Sequence, residues 1–285
     1  MQGKWRFSQI CLLVLCVLSV AGCGGSTDEI FVLSREDGSG TRSAFAQLMG
    51  IETVDGQGRR TDSMVDTVEI TNSTGVMLSG VSENENAIGY VSIGALNETV
   101  KALEIDGAAA TAENVRSGTY PVSRTLCIVM PRKLSSVVDD FLAFIGSEQG
   151  RAVVEAAGYV SCGNGKTAPA ADVSGQVTVT GSSSVFPVME KLAEAYMAVR
   201  PEVSVVVQIS DSTTGIRDAA NGLCDLGMTS RPLTAEEADA VQAIPVALDG
   251  IAVIVHPKNP VNELKSWQVY SIYTGSVTKW EEIYG

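Results

Sequence analysis

Apolar positions in this chain come in short runs separated by loops rich in Ser, Thr and Gly, and the runs alternate between two periods. Compact apolar runs predict strands over residues 30–34, 87–92, 122–131, 177–180, 203–209 and 248–256, with shorter ones at 68–70 and 103–105. Helical periodicity predicts helices from about residue 42 to a stop at Gly50, then over 76–81, 137–157 (ended by Gly158), 188–199, 216–221 and 267–273. Residues 57–62 read as a polar loop and 71–75 as a turn. The segment 161–176 (SCGNGKTAPAADVSGQ) turns small, polar and Gly/Pro/Ala-rich, the composition of a linker. Strand, loop and helix alternating in this way imply an α/β fold with largely parallel sheets.

The first residues follow another pattern. Lys4 and Arg6 precede an apolar run over residues 10–21, which is too short for a bilayer span of about 20 residues. It has the length of a secretory h-region. It leads into Val20-Ala21-Gly22-Cys23, the order of a bacterial lipobox. Residues 1–22 are therefore expected to be a lipoprotein signal peptide, with Cys23 lipidated and holding the chain to the outer face of the cell membrane.

With 285 residues, 45% hydrophobic and 19% charged, the chain can bury a sizeable core and is not disordered. Lys+Arg 20 against Asp+Glu 33 give a formal charge of −13. Removing residues 1–22 takes away Lys4 and Arg6 and no acid, which leaves −15. No basic block exists, so nucleic acid is excluded as a partner. A single histidine, His256, argues against a His-rich metal site or a His-based triad. Beyond the leader and Cys23, Cys127, Cys162 and Cys224 remain. They fit no metal spacing and read as buried small hydrophobes, with a Cys127–Cys162 disulfide as the alternative. Trp267 and Trp280 read as packing anchors, Ser73 and Thr74 as helix caps, and Glu236-Glu237 and Glu281-Glu282 as solvated faces.

One chemical pattern recurs. A predicted strand feeds a Ser/Thr/Gly loop that opens a helix at residues 37–41 (DGSGT), 181–186 (GSSSVF) and 210–215 (SDSTTG), and more weakly at 71–75 (TNSTG). Helix starts present unpaired N–H groups and a partial positive charge, and hydroxyls there add donors. Several such loops converging on a cleft would bind a compact oxyanion.

These residues resemble a family. One block runs from Ile30-Phe31-Val32-Leu33-Ser34-Arg35-Glu36-Asp37-Gly38-Ser39-Gly40-Thr41-Arg42 through Asn86-Ala87-Ile88-Gly89-Tyr90-Val91-Ser92 to Gly158-Tyr159-Val160. The other runs from Val179-Thr180-Gly181-Ser182-Ser183-Ser184 through Asp225-Leu226-Gly227-Met228-Thr229-Ser230-Arg231 and Ala247-Leu248-Asp249-Gly250 to Lys279-Trp280. Both resemble the phosphate-specific ABC-transporter substrate-binding proteins (PstS type, type II periplasmic-binding fold). In that family the GSSS-type loop comes first and the GSGTR loop second. Here the order is reversed, as in a circular permutation; a tandem duplication that lost its outer halves would give the same product.

The resemblance implies two α/β lobes with a ligand cleft between them. One lobe would comprise residues 23–120 and 253–285, the other 121–252, including the 161–176 linker, with crossover strands near 121–124 and 248–255. Carried over residue by residue, it implies Arg35 as the cation of the site, oriented by Asp37. Ser39, Gly40 and Thr41 would be donors from one lobe. Ser183, Ser184, the N–H groups of Val185 and Phe186, and Ser212 would be donors from the other. Ser230 stands where some relatives carry an aspartate that accepts a ligand proton, which leaves selection of phosphate over sulfate open; Asp37 or Asp211 are the alternatives for that role. The implied protein is a monomeric, cofactor-free and metal-free binder of inorganic phosphate that docks on ABC-transporter permease subunits. Alternatives are a binder of another tetrahedral oxyanion, a phosphate-ester hydrolase and a non-binding envelope protein. Against the hydrolase, the sequence pairs no nucleophile with a base.

Overall fold

A computed structural model of the chain describes residues 28–55, 59–163 and 173–284. The expected leader, its Cys23 and most of the 161–176 linker lie outside those residues. The first half of the chain runs β1 (Phe31–Arg35), α1 (Gly40–Leu48), β2 (Glu52–Val54), β3 (Arg60–Asp62), β4 (Glu69–Thr71), α2 (Thr74–Glu83), β5 (Ala87–Ser92), a 3-10 turn (Ile93–Ala95), β6 (Lys101–Ala102), β7 (Glu104–Ile105), α3 (Ala112–Arg116) and β8 (Ser123–Pro131). Then follow α4 (Ser136–Gly146), α5 (Glu148–Ala156), β9 (Val160–Ser161), β10 (Gly175–Ser182), α6 (Phe186–Val199), β11 (Val203–Ser210), α7 (Ser212–Ala220), β12 (Leu226–Thr229), α8 (Ala235–Ala240), β13 (Val241–Val255), β14 (Glu263–Leu264), α9 (Ser266–Tyr273) and α10 (Glu281–Tyr284).

Capping chemistry sets the helix starts. Ser39, Ser73, Ser147 and Asp211 each stand at an N-cap and accept a backbone N–H from the first turn. Ser147 also accounts for a departure from the sequence pattern. The amphipathic stretch 137–157 is two helices, because Ser147 Oγ donates to the Phe144 carbonyl at 2.6 Å and accepts from the Gly150 N–H at 3.2 Å. That hydroxyl ends α4 and starts α5. Part of the expected polar loop at 57–62 is strand β3, paired antiparallel with β2.

The main sheet follows the path β11-β10-β12-β8-β13-β5-β1-β4, with β6 and β9 paired to β13 off this path. Pairing is parallel at both ends, among β11, β10 and β12 and among β5, β1 and β4. In the centre, β12, β8, β13 and β5 pair antiparallel. The expectation of a largely parallel sheet thus fails at the centre. Strands buried on both faces read as continuous apolar runs whichever way they point.

Among the described residues, two large hydrophobic cores pack against this sheet, with a small third cluster of Val129, Ile216, Ala219, Cys224 and Val241. The first gathers residues between 33 and 122 and between 251 and 280, among them Phe45, Met77, Tyr90, Val253 and Trp280, together with Val160. The second draws on residues 126–247, among them Phe141, Val177, Leu192, Tyr196 and Leu226. Strand β13, 15 residues long, joins them: residues 241–250 pair with β8 and 251–255 with β5.

Segments from opposite ends of the chain meet in the first core. The Ile30 N–H donates to the Thr278 carbonyl at 2.8 Å, and the Trp280 N–H donates to Asp28 at 3.0 Å. The Trp280 indole donates to the Asn86 carbonyl at 3.0 Å. Trp280 is 1% exposed and packs as expected, whereas Trp267 is 64% exposed and does not. Cys127 and Cys224 are buried; Cys162 is exposed, and all three are unpaired.

Candidate anion site between the two cores

The first core supplies one wall of the site. Strand β1 ends buried at Arg35, whose N–H donates to the Tyr90 hydroxyl at 3.1 Å; that hydroxyl also shares a 2.7 Å hydrogen bond with Ser34. Burial pushes the Tyr90 hydroxyl's pKa up, so it stays neutral while it accepts the Arg35 N–H. The Arg35 guanidinium donates through Nε and Nη2 to both carboxylate oxygens of Glu36, at 2.8 and 2.7 Å. Its Nη2 also reaches Ser183 Oγ, on the far wall, at 3.2 Å.

Asp37, the carboxylate expected to orient Arg35, is 95% exposed and lies 3.6 Å from Arg42 instead. Glu36 takes the orienting contact because its longer side chain can fold back into a two-bond fork on its neighbour. Asp37 sits in the turn before α1, facing water. Ser39 caps α1 by accepting the Arg42 N–H at 3.3 Å. Gly40 and Thr41 form the first residues of the helix.

The second core supplies the opposite wall, from the end of β10 and the starts of α6 and α7. Ser182 Oγ donates to Ser230 Oγ at 2.9 Å. Ser212 Oγ accepts the Ser230 N–H at 3.1 Å and lies 3.3 Å from Ser230 Oγ. The Val185 N–H donates to the Ser182 carbonyl at 3.0 Å, so it is engaged locally rather than held for a ligand. Phe186 opens α6 at its N-terminus.

The walls touch through hydroxyls. Thr41 Oγ1 and Ser184 Oγ are 2.6 Å apart. Thr74 Oγ1 lies 3.2 Å from Ser183 Oγ and 3.5 Å from Ser184 Oγ. The Thr213 N–H and hydroxyl both reach the Gly38 carbonyl at 3.3 Å. Arg35, Ser39, Thr41, Thr74, Ser182, Ser183, Ser184, Ser212 and Ser230 are all 6% exposed or less.

Of the residues singled out from the sequence, Arg35, Ser39, Gly40, Thr41, Ser183, Ser184, Ser212 and Ser230 come together here; Asp37 does not. Ser182, Glu36 and Thr74 also join this network, although the sequence pattern does not single them out for it. Thr74 is free for that contact because Ser73 caps α2 by accepting the Val76 N–H. The weaker loop at 71–75 carried the signal for Thr74.

Four helix starts and one carboxylate-paired guanidinium around buried hydroxyls suit a compact oxyanion, which takes many directed donors. Among the described residues, the serines hydrogen-bond one another, Thr41, Thr74 and Arg35, with no histidine or carboxylate as partner. His256 instead accepts the Lys258 N–H at 3.1 Å. No group of His, Cys, Asp and Glu among the described residues is arranged to hold a metal ion.

A family model described as a PBP superfamily domain matches residues 18–149 and 166–285. A phosphate-binding protein PstS 2 from Streptococcus agalactiae is 46% identical over 271 residues, covering 93% of this chain and 92% of that protein. The protein of the same name from Streptococcus pneumoniae is 40% identical over 266 residues, covering 93% and 91%. The chain belongs to the PstS family. A solved structure of a phosphate ABC transporter's phosphate-binding protein from Streptococcus pneumoniae matches with a TM-score of 0.70 and 41% identity, covering 90% of this chain and 99% of that one. The PstS relationship and the two-core α/β architecture agree on a binding-protein fold.

Proposed function

We propose that this PstS-family protein is a lipid-anchored, extracytoplasmic binding protein that captures inorganic phosphate between two lobes and hands it to the permease subunits of an ABC importer. The observation that carries the reading is the buried hydroxyl cluster shared by the two cores and joined to one guanidinium through the 3.2 Å contact of Arg35 with Ser183. The printed names of the relatives, phosphate-binding proteins in each case, support phosphate as the ligand.

The two cores serve as the lobes, residues 23–120 with 253–285 and residues 121–252, and β8 with β13 serve as the crossover. An anion that contacts Arg35, Ser39, Gly40 and Thr41 on one lobe and Ser183, Ser184, Phe186, Ser212 and Ser230 on the other gains both sets of bonds only when they meet. Its binding therefore shifts the population toward the closed form. The protein works as a monomer. The net charge, −15 once residues 1–22 are removed, does not oppose anion binding, because the Debye length is about 8 Å in physiological salt and the buried donors act at contact distance.

The anchor reading rests on the Val20-Ala21-Gly22-Cys23 pattern after an apolar run. A circularly permuted order is supported by the meeting of residues 28–30 with 278–281, two segments that lie far apart in this sequence.

Thermal melts of the purified protein at low salt, with phosphate, with sulfate and without either, test the proposal. Phosphate at 100 times its dissociation constant should add about 2.7 kcal/mol and raise a single cooperative transition by several degrees. An equal shift by sulfate would turn the reading toward a general tetrahedral oxyanion. No shift with either, or turnover of a chromogenic phosphate ester, would sink it.

A further inference from the structure

The crossover strands carry a buried ion pair. Arg124 on β8 stands opposite Asp249 on β13. Its Nε and Nη2 both donate to Asp249 Oδ2, at 3.1 and 3.0 Å. The other Asp249 oxygen accepts from Ser92 Oγ at 2.8 Å, and Ser92 lies 3.4 Å from the Tyr159 hydroxyl. The side chains are 4% and 0% exposed. The remaining guanidinium nitrogen, Arg124 Nη1, is buried and has no hydrogen-bond partner.

A buried charged donor without an acceptor is among the costlier defects a fold can carry, and native structures keep one where a ligand or ordered water completes it. The topology says where this one sits. Ser92 ends β5 and Arg35 ends β1, and these strands are parallel neighbours, so both residues lie at the same edge of the sheet. Arg124, tied to Ser92 through Asp249, lies at that edge and lines a cavity beside α1 with Ala44, Gln47, Leu48, Cys127 and Pro232. Burial holds the proton affinity of Arg124 down, Asp249 restores part of it, and the positive charge of Arg35 lowers it again.

We infer that Arg124 is a second cationic ligand of the anion site, its Nη1 donating to the enclosed oxyanion from the crossover side. Asp249 neutralises and orients the rest of the guanidinium, as Glu36 does for Arg35. The inference rests on the reading of the cleft as an oxyanion site and adds a residue to it. It also ties ligand charge to the strands about which the lobes move: an anion bound to Arg35, Ser183 and Arg124 is held by both lobes and by the crossover together.

A crystal structure of the protein with saturating inorganic phosphate, paired with calorimetry on the double variant R124M/D249L, tests it. The double variant removes the pair without stranding a lone buried charge, so it is expected to fold. In the complex, Nη1 should lie about 2.7–3.2 Å from a phosphate oxygen. The variant should melt cooperatively and bind phosphate at least about tenfold more weakly than wild type. Nη1 bound to water alone, or wild-type phosphate affinity in the variant, would overturn the assignment. Should wild type bind sulfate and not phosphate, the phosphate reading falls, and the same two measurements with sulfate decide on Arg124. Should it bind neither, both fall.

Discussion

Gly40 approaches Ser230 so closely that a β-carbon on the glycine would lie 2.6 Å from the Ser230 hydroxyl oxygen, 2.9 Å from its carbonyl carbon and 2.5 Å from the Ser212 hydroxyl. Gly40 opens α1 on the first core's wall of the site, and the two serines stand on the second core's wall. A methyl group there wedges the walls apart without entering either core. Gly40→Ala should weaken phosphate binding by the cost of an overpacked contact, about 1–3 kcal/mol or roughly five- to 150-fold in Kd, while the ligand-free melt barely moves. Gly75, in α2, is the control, since a β-carbon there meets nothing within 4 Å. Gly75→Ala should keep its affinity and gain up to about 1 kcal/mol of stability from helix propensity. Calorimetry and thermal melts on both variants separate the two effects, and wild-type affinity in Gly40→Ala would refute the wedge.

Glu36 and Asp37 are adjacent acids with different surroundings, and their variants should differ accordingly. Glu36→Gln leaves one acceptor where Arg35 now has two, so the guanidinium loses its fixed orientation toward Ser183. One charge-assisted hydrogen bond is worth about 1.5–3 kcal/mol, so phosphate affinity should fall roughly tenfold or more. Asp37→Asn alters a group that is 95% exposed and should change nothing measurable in low or moderate salt. Titration calorimetry on the pair decides which acid orients the cation; the reverse ranking would restore Asp37.

Much of the cluster was legible because its parts are local. Hydroxyl loops at 37–41, 181–186 and 210–215 sit at helix starts, where capping preferences and ligand donors use the same residue types. What was not legible depends on the far wall. Thr74 becomes a site residue only because Ser183, 109 positions away, arrives within 3.2 Å of it. The choice of Glu36 over Asp37 is made by the reach of the Glu36 side chain, while Asp37 faces water. Arg124 looks in sequence like a stray charge in an apolar strand, and its meaning comes from Asp249 being placed opposite by the antiparallel register of β8 and β13. That register was itself hidden, since buried strands carry no mark of direction.

The three cysteines of the folded region should react at different rates. Burial pushes the thiols of Cys127 and Cys224 to about 11. At pH 8 each is then thiolate only about one part in a thousand, and each is shielded besides. Cys162 is exposed. A disulfide reagent at pH 8 should show a fast phase that Cys162→Ser removes and that Cys127→Ser and Cys224→Ser leave intact, with the buried thiols appearing on denaturation. A fast phase that survives Cys162→Ser and disappears with Cys127→Ser would contradict the burial.

Glu237, expected on a solvated face, is instead tied to the cleft. Arg231 donates to both of its carboxylate oxygens at 2.8 Å and to Thr213 Oγ1 at 3.1 Å, and Thr213 in turn bonds the Gly38 carbonyl. Glu237 also closes the capping box of α8 by accepting the Thr234 N–H at 2.8 Å. The Arg231 hydrogen bonds hold its carboxyl below the ordinary glutamate range, outweighing burial, which pushes the other way. A carboxyl whose pKa is depressed on folding stabilises the fold above its unfolded pKa and loses that contribution as pH falls through its folded value. Glu237→Gln should therefore cost about 1 kcal/mol at neutral pH, the modest size reflecting a partly exposed pair. The deficit should begin to shrink below roughly pH 4.3 and vanish once wild-type Glu237 is itself protonated. Urea denaturation of both proteins across that range tests the sign, because a deficit independent of pH would mean that Glu237 acts through shape and not through its charge on Arg231.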